Sequence, residues 1–225
     1  MCGRFFRDDI SWESYQSLIP FAPPRGVEAP EARYNIAPQS VVPVLRRDLD
    51  TKEVELFPCF WGLVPSWWSK PLSEKNFASF NAASETAHEM ASYRGSFRHK
   101  RCLVPASGWY QWTGESGAKI PFAVSLRDDE WFCFAGLWDC AIIDGSELHS
   151  FTILTTQPND AVAGIATRMP VVLPSSAAER WLDPFAKLQF DDLFEPYPAA
   201  DTKVWVVGPD VGNVRNQGPH LIEEV

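Results

Sequence analysis

Much of the chain consists of short runs in which apolar side chains alternate with smaller or polar ones, and turn residues separate the runs. A period of two is typical of a strand with one buried face. We therefore predict strands at residues 41–46, 54–64, 102–104, 110–112, 120–126, 131–138, 151–155, 171–173 and 204–207. Clusters of Gly, Asp and Ser predict turns at 114–117, 128–130 and 144–146.

Helical patterns occur only in short segments. Residues 8–19 predict a first helix, which Asp8 or Asp9 would cap and which would bury Tyr15 and Ile19. Further helices are predicted at 82–91, 158–165 and 175–182, with another opening at Asp183-Pro184. We find no repeat or linker, so the sequence predicts a single α+β domain over residues 1–225 in which antiparallel strands dominate.

Composition narrows the class of protein. A chain of 225 residues suits one domain or two small ones, and nineteen prolines favour loops over long helices. Apolar runs stay well short of the roughly 18 residues needed to cross a bilayer, and the polar N-terminus predicts no signal peptide. Five cysteines without a C-x-x-C pair predict a reducing cytoplasm, no disulfide framework and no metal site. We expect a cytoplasmic protein without a cofactor or a membrane partner.

Charge is distributed unevenly along the chain. The net charge is −9, yet residues 1–119 carry +1 and residues 120–225 carry −10. Arg94, Arg98, Lys100 and Arg101 form a basic run beside His99. A local basic cleft can guide a polyanion in spite of an acidic body, and a solvated helix face would give the same run. Both interpretations stay open from the sequence.

Cys2 directly follows the initiator methionine, which methionine aminopeptidase removes when the second side chain is small. The mature chain would then carry an α-amine and a thiol on adjacent carbons. The amine condenses with an aldehyde to a Schiff base, and the thiolate closes onto it to give a thiazolidine. Reference pKa values of ~7.7–8 for the amine and ~8.5 for the thiol leave both partly reactive at neutral pH. Because any small residue can follow Met1, the position alone does not establish this chemistry.

Three other positions carry candidate functional side chains. Trp67 and Trp68 lie in a loop bounded by prolines, so at least one is predicted to be exposed, either stacking on an unpaired base or anchoring the loop. Asn81 is either a helix cap or a hydrogen-bonding amide of an active site. Gln111 lies in an aromatic strand, where its amide needs partners.

With these residues in view, the sequence resembles the SRAP family, named for SOS-response-associated peptidases and also known for abasic-site processing. The resemblance extends over nearly the whole chain, and its segments are jointly specific. They are Met1-Cys2-Gly3-Arg4, Tyr34-Asn35-Ile36-Ala37-Pro38, Trp61-Gly62-Leu63-Val64-Pro65-Ser66-Trp67-Trp68, the Asn81 segment, the stretch from Arg101 to Trp112, Thr167-Arg168-Met169-Pro170-Val171-Val172-Leu173, and Gly212-Asn213-Val214-Arg215-Asn216. The resemblance implies a barrel-like antiparallel core with peripheral helices.

The resemblance also implies a function. Family members bind single-stranded DNA at an abasic site and link it covalently to the N-terminal cysteine through a thiazolidine, and they usually act as monomers. On this basis Cys2 supplies the amine and the thiol, and Asn81 lies next to the crosslink. Arg4 and Arg168 match phosphate-contacting arginines, and Trp67 and Trp68 match aromatic residues that support bent DNA. We would then expect the protein to associate with the nucleoid when it is bound to DNA.

Three positions depart from the family pattern. Gln111 replaces a glutamate thought to move protons during ring opening, Schiff-base formation and reversal. Ala166 replaces a histidine, and Ala83 replaces an arginine. General acid–base catalysis is typically worth about 10²–10⁴-fold, so we predict slower linkage and poorer reversal than in a member with the full set.

Three alternatives remain from the sequence. An N-terminal-nucleophile amidohydrolase would also begin Met-Cys-Gly, but such enzymes use an Asn-Gly pair that this chain lacks. A DNA-binding module could have lost its covalent reaction. A peptidase activity, as in the family's name, would consist of cleaving the bond after Met1.

Overall fold

The computed structural model describes residues 2–115, 117–187 and 189–225. The predicted removal of Met1 lies outside the described residues, as does Ser116 within the predicted turn at 114–117. Within the described part, thirteen strands dominate the fold. They are β1 (Phe5–Arg7), β2 (Arg33–Ile36), β3 (Val41–Arg47), β4 (Val54–Trp61), β5 (Asn81–Ala83), β6 (Arg101–Ala106), β7 (Gly108–Thr113), β8 (Ile120–Leu126), β9 (Phe132–Ile143), β10 (Ser146–Thr156), β11 (Met169–Pro170), β12 (Val172–Leu173) and β13 (Thr202–Val206).

The strands form two sheets. One has five strands in the order β13-β8-β7-β1-β2, all antiparallel. In the other, β10, β4, β3, β6 and β9 pair in turn, and β9 pairs back with β10, which closes a five-stranded barrel. Only the pairings of β10 with β4 and with β5 are parallel among those described. The predicted fold class, a mostly antiparallel barrel-like α+β protein, is therefore confirmed.

Strand alternation divides the interior into layers. Along β6, Cys102 and Val104 face a core shared by the two sheets, whereas Leu103 faces a second core beneath the helices. We call the first the inter-sheet core, and its members include Cys2, Phe5, Trp61, Trp109 and Phe134. A third, smaller cluster covers the outer face of the five-stranded sheet. Both faces of the barrel wall are thus buried, which explains the long apolar runs of β6 and β9.

Three α-helices lie at the periphery: α1 (Trp12–Leu18), α2 (Arg94–His99) and α3 (Ala178–Leu182). The predicted first helix exists but begins later, because Ser11 rather than Asp8 or Asp9 caps it. The Ser11 side chain accepts a hydrogen bond from the Ser14 amide at 3.2 Å. Short 3₁₀-helices lie at Leu72–Glu74, Ser175–Ala177, Asp191–Leu193, Ala199–Asp201, Pro209–Gly212 and Pro219–Ile222.

Three helix predictions were wrong. Residues 82–91 contain the end of β5 and a series of turns. The backbone of β5 forms hydrogen bonds with β10 and not the local hydrogen bonds of a helix. Residues 158–165 form turns, and Asp183-Pro184 opens a turn and no helix. The segment at 175–182 is helical, as a 3₁₀ turn followed by α3.

The hairpin between β9 and β10 matches its predicted turn. Asp144 and Gly145 adopt φ values of 50° and 79°, the paired positive φ of a type I′ turn. The register continues for eight residue pairs from Ser146–Ile143 to Ile153–Gly136. We find no helix among the described residues that is long and apolar enough to cross a membrane.

Candidate functional site

Cys2 lies beside β1, at the edge of the inter-sheet core. It is fully buried, and its carbonyl oxygen accepts a hydrogen bond of 2.7 Å from Asn81 Nδ2. Its Sγ lies 3.9 Å from the carbonyl oxygen of Arg4. Burial raises the pKa of the Cys2 thiol to about 12. The thiol is therefore protonated at neutral pH in this state, and a nucleophilic role requires a group or an event that removes the proton.

Asn81 belongs to β5, so of its two predicted alternatives the helix cap was wrong. It pairs with Ile153 in a parallel ladder, and the Tyr93 hydroxyl donates to its carbonyl oxygen at 3.4 Å. Its side-chain Oδ1 is buried and has no hydrogen-bond partner among the described residues. A buried amide with one satisfied donor and one free acceptor is unusual, and it can receive a hydrogen bond from a ligand.

Gln111 enters the same region from β7. Phe5 pairs with Trp109, and the Tyr110 amide donates to the Arg4 carbonyl at 2.9 Å. If this antiparallel register is continued by two residues, Gln111 lies opposite Gly3, the residue after Cys2. Gln111 is only 5 % exposed, and its Nε2 makes a long contact of 3.5 Å with the Arg168 carbonyl oxygen. The β7 segment thus contributes a neutral amide to the neighbourhood of Cys2.

The two alanines at departing positions also lie in this region. Ala166 packs against the inter-sheet core, which contains Cys2. Ala83 pairs with Thr155 of β10, and Thr155 pairs on its other side with Pro170 of β11. These positions contribute methyl groups, so neither can transfer a proton or contact a phosphate by charge.

Arg4 forms hydrogen bonds with the 34–38 segment and with the residue that precedes the 212–216 segment. Its Nη1 donates to Asn35 Oδ1 at 2.6 Å and to the Val211 carbonyl at 2.8 Å, and its guanidinium lies 5.5 Å from the Trp112 ring centroid. Burial lowers its pKa. The Asn35 Nδ2 in turn donates to the carbonyl oxygens of Val211, Asn213 and Asn216. Arg4 and Asn35 therefore join the 34–38 segment to the 212–216 segment.

Arg168 makes a bidentate ion pair that the sequence did not reveal. Its Nη1 and Nη2 each donate at 2.7 Å to the two carboxylate oxygens of Glu85, and Nη2 also donates to the Thr155 carbonyl. The Arg168 guanidinium lowers the pKa of Glu85. Glu85 lies four residues after Asn81, but its partner is 83 residues away, so no local pattern could have identified the pair.

The paired tryptophans differ in exposure. Trp67 is 59 % exposed, and its Nε1 contacts the Ala91 carbonyl at 3.3 Å. Trp68 is half-buried, with its ring 5.7 Å from Phe77 edge to face and its Nε1 bonded to the Lys70 carbonyl at 2.8 Å. The prediction that at least one would be exposed is confirmed, and Trp68 anchors the loop.

A pocket is lined by residues that flank this loop on both sides in sequence, without the two tryptophans. Its volume is about 560 Å³, and Phe80, the residue before Asn81, forms part of its wall together with Phe60, Phe77 and Lys75. Lys75 Nζ is bonded to Ser79 Oγ at 2.6 Å. The pocket wall is mostly apolar and carries one cation, which is the general composition of a small-molecule site.

The basic run near α2 is not a single patch. Arg94 and Arg98 are exposed, but Arg101 is buried and donates to the backbone carbonyls of Phe97 and Trp181 at 2.7 Å. Lys100 forms a 2.6 Å ion pair with Asp139. Two of the four cations therefore have structural partners, which favours the solvated helix face over a continuous basic cleft.

One cluster of metal-ligating side chains exists within the described residues: Cys140, Glu147 and His149. Arg46 Nη1 donates to His149 Nδ1 at 2.9 Å. Arginine can only donate, so in the neutral ring the proton resides on Nε2, which faces Glu147 at 3.3 Å. A metal ion would need the lone pair of Nε2, so this arrangement is a hydrogen-bonded cluster and does not fit a metal site.

Comparison with known proteins relates this geometry to a family. The chain is 33 % identical over 234 residues to the abasic site processing protein YoqW of Bacillus subtilis, with 99 % of each chain covered. It is 31 % identical over 237 residues to the abasic site processing protein YedK of Escherichia coli, with all of both chains covered. A crystal structure of a protein from Bordetella bronchiseptica superposes with a TM-score of 0.74 at 28 % identity, covering 92 % of this chain and 100 % of that one.

The family sequence model agrees with these matches. The family described as SOS response associated peptidase (SRAP) matches residues 1–214, a range that contains every predicted site residue from Cys2 to Arg168. Together with the two relatives, which match over nearly the whole of both chains, this family match shows that the chain belongs to the SRAP family.

Proposed function

We propose that this protein binds single-stranded DNA at abasic sites and, after removal of Met1, links the lesion covalently to Cys2 as a thiazolidine that shields it. The names of the relatives, abasic site processing proteins, support a role in abasic-site processing. The observation that carries the proposal is the 2.7 Å bond by which Asn81 Nδ2 holds the Cys2 carbonyl oxygen, while the buried Oδ1 of the same amide has no hydrogen-bond partner among the described residues.

The proposed reaction balances without a cofactor. The Cys2 α-amine adds to the ring-opened sugar aldehyde and expels water, which gives a Schiff base. The Cys2 sulfur then bonds to the same carbon, and the thiol proton ends on the nitrogen. Asn81 Oδ1 would accept a hydrogen bond from the amine or from a sugar hydroxyl and so orient the reacting carbon. Buried thiol and amine react faster once a neighbouring base removes their protons.

The neighbourhood of Cys2 offers little help with these proton transfers. Gln111 and Ala166 cannot exchange a proton at neutral pH. Glu85 is the carboxylate bonded to Arg168, which keeps it ionised and makes it a poor acid. His99 lies on α2 with Nδ1 3.3 Å from the Pro184 carbonyl oxygen, and none of its contacts among the described residues is with Cys2. We therefore expect slow formation and slow reversal of the crosslink.

DNA contacts form the second part of the proposal. Arg4 and Arg168 would contact phosphates on either side of the lesion, and Trp67 and Trp68 would support bases next to it. Trp67 is exposed enough to stack on an unpaired base, an interaction worth roughly 1–3 kcal/mol. Phosphate contacts do not read sequence, and an abasic site has no base to read, so no sequence preference is expected. We further propose a cytoplasmic monomer, associated with the nucleoid when bound to DNA.

The missing proton-transfer groups favour one alternative, a single-stranded DNA-binding protein without covalent activity. A denaturing gel separates the two functions. Wild type and Cys2→Ala are each incubated with a single-stranded oligonucleotide carrying an abasic site, or the tetrahydrofuran analogue that has no aldehyde. A shifted band for wild type alone, and with the true abasic site alone, supports crosslinking. Native binding by both proteins without a shifted band contradicts it and supports the binding module.

A further inference from the structure

The guanidinium of Arg168 is already occupied by a carboxylate. Both Glu85 oxygens receive a 2.7 Å hydrogen bond from Arg168, in the fork-to-fork geometry that arginine also uses for phosphate. A phosphate oxygen approaching the same two N–H groups would meet the charge of Glu85. The Glu85 carboxylate and a DNA phosphate would therefore compete for the same two donors of Arg168.

Arg168 does not need Glu85 to stay in place. Its Nη2 also donates to the Thr155 carbonyl oxygen, and Met169, the next residue, pairs with Thr156 in the β10–β11 ladder. The side chain of Arg168 is 19 % exposed and that of Glu85 46 % exposed. The arginine is thus also held by the sheet backbone, whereas Glu85 is the more exposed partner, and its other side-chain hydrogen bond is with Gln157.

We propose that Glu85 is a built-in competitor of DNA, a carboxylate that occupies Arg168 and must be displaced by a backbone phosphate before the strand can settle at Cys2. This inference rests on the proposed function, because it takes single-stranded DNA as the ligand. It assigns to Glu85 a restraint on binding and not a step of the crosslinking reaction.

Competition between Glu85 and a DNA phosphate for Arg168 limits which ligands can bind there. A strand gains the Arg168 contact only when its phosphate is held there by other contacts, such as those at Arg4 and Trp67. Free phosphate or a loosely bound strand would lose to the tethered carboxylate, whose effective concentration is high. Ala83 adds to this restraint, since the position where the family carries an arginine offers no second cation to share the phosphate.

The test measures non-covalent binding of a single-stranded oligonucleotide with a tetrahydrofuran abasic analogue, by fluorescence anisotropy over a series of salt concentrations. Glu85→Gln should bind severalfold more tightly at low salt than wild type. Its slope of log K against log salt should be steeper by about 0.7, the value for one added phosphate contact on a single strand. Glu85→Ala should change affinity in the same direction.

Two further variants control for net charge and for the guanidinium itself. Glu89→Gln removes an equal charge from the same turn region, where Glu89 contacts His88 and not Arg168, and it should tighten binding far less. Adding Glu85→Gln to Arg168→Gln should change nothing, because the contested guanidinium is gone. Melting temperatures of all variants identify any that fail to fold.

The possible results are distinct. Weaker binding by Glu85→Gln would mean that Glu85 positions Arg168, and equal tightening in the Arg168→Gln background would mean a general charge effect; either overturns the inference. If both Glu85 variants bind the oligonucleotide with the same affinity as wild type, the inference is also overturned, and the proposed function stays intact. Absence of binding by wild type to any single-stranded oligonucleotide overturns the proposed function itself, and this inference with it.

Discussion

Cys2 is fixed through its backbone and not through its thiol. The Asn81 amide bonds to its carbonyl oxygen, whereas the sulfur has only a weak contact with the Arg4 carbonyl. The orienting bond therefore involves no atom of the thiol and does not depend on its protonation state. Of the described residues near Cys2, Gln111 and Ala166 offer no group that moves protons, and under the proposed function Gln111 is the position where a single substitution can supply one.

Gln111→Glu should accelerate formation of the abasic-site adduct on the order of 10²-fold, the lower end of the range for general acid–base catalysis, since Ala166 still supplies nothing. Burial should raise the pKa of the new carboxyl toward neutrality, where it exchanges protons well. Single-turnover rates from quenched gels measure the effect. Gln111→Met is the control, because its side chain has a similar volume and no ionisable group. Equal rates for wild type and both variants would refute the role assigned to this position.

Strand pairing explains which elements the sequence revealed and which it concealed. The predicted strand at 120–126 matches β8 residue for residue, and it packs on both faces, since Ala123 belongs to the outer cluster and Val124 to the inter-sheet core. Residues 82–91 contain helix-forming Ala, Glu and Met, yet Asn81–Ala83 is a strand whose partner, β10, lies about 70 residues away. Single-sequence periodicity contains no record of such a partner, so Asn81 could be identified as a candidate but not placed in a strand.

The candidate site was predicted only in part, because contacts between residues distant in sequence leave no local pattern. Cys2, Asn81 and Gln111 stood out by their chemistry or by resemblance, and the strands bring them together. The Glu85–Arg168 pair and the bonds from Asn35 to the 212–216 segment join residues far apart in sequence, and these were not predictable from local pattern.

The β1–β7 pairing depends on the absence of a side chain at Gly108. A Cβ there would lie 2.5 Å from the Val124 carbonyl oxygen and against the Phe6 ring. Gly108→Ala should lower the free energy of unfolding by about 3 kcal/mol, the upper end for overpacking, because backbone and ring must both move. Gly95→Ala is the matched control. Its Cβ meets nothing within 4 Å in α2, and it should raise stability by up to ~1 kcal/mol.

Urea unfolding of the two variants beside wild type measures both effects. Loss of β1 pairing should also disturb Cys2, so folded Gly108→Ala should crosslink poorly. Equal stability of the two alanine variants would contradict the close approach of β1, β7 and β8 at this point.

The molecule as a whole buries four free thiols, those of Cys2, Cys59, Cys102 and Cys133. Burial raises the pKa of each, to about 12 for Cys59. Each thiol is part of a packed apolar core, and none is paired in a disulfide. The unfolded chain ionises these groups above pH ~8.5, whereas the native state keeps them protonated.

Stability should therefore fall steeply in alkali. Between pH ~9 and about 12 the unfolded state binds fewer protons than the native state, so the free energy of unfolding decreases as pH rises. Each buried thiol contributes a slope of about 1.4 kcal/mol per pH unit, and the full stability is present below pH ~8.5. Cys59→Ala should reduce the slope by that amount in urea titrations at pH 9.5 and 10.5. An unchanged slope would mean that the Cys59 thiol is not protected from ionisation.

The most direct test of the account is the intact mass of the wild-type protein after incubation with a single-stranded oligonucleotide containing one abasic site, followed by peptide mapping of the adduct. We predict a species whose mass equals the chain without Met1 plus the oligonucleotide less one water, with the bond mapped to Cys2. A chain that retains Met1 and forms no adduct, or an adduct mapped to a lysine, would contradict the central claim.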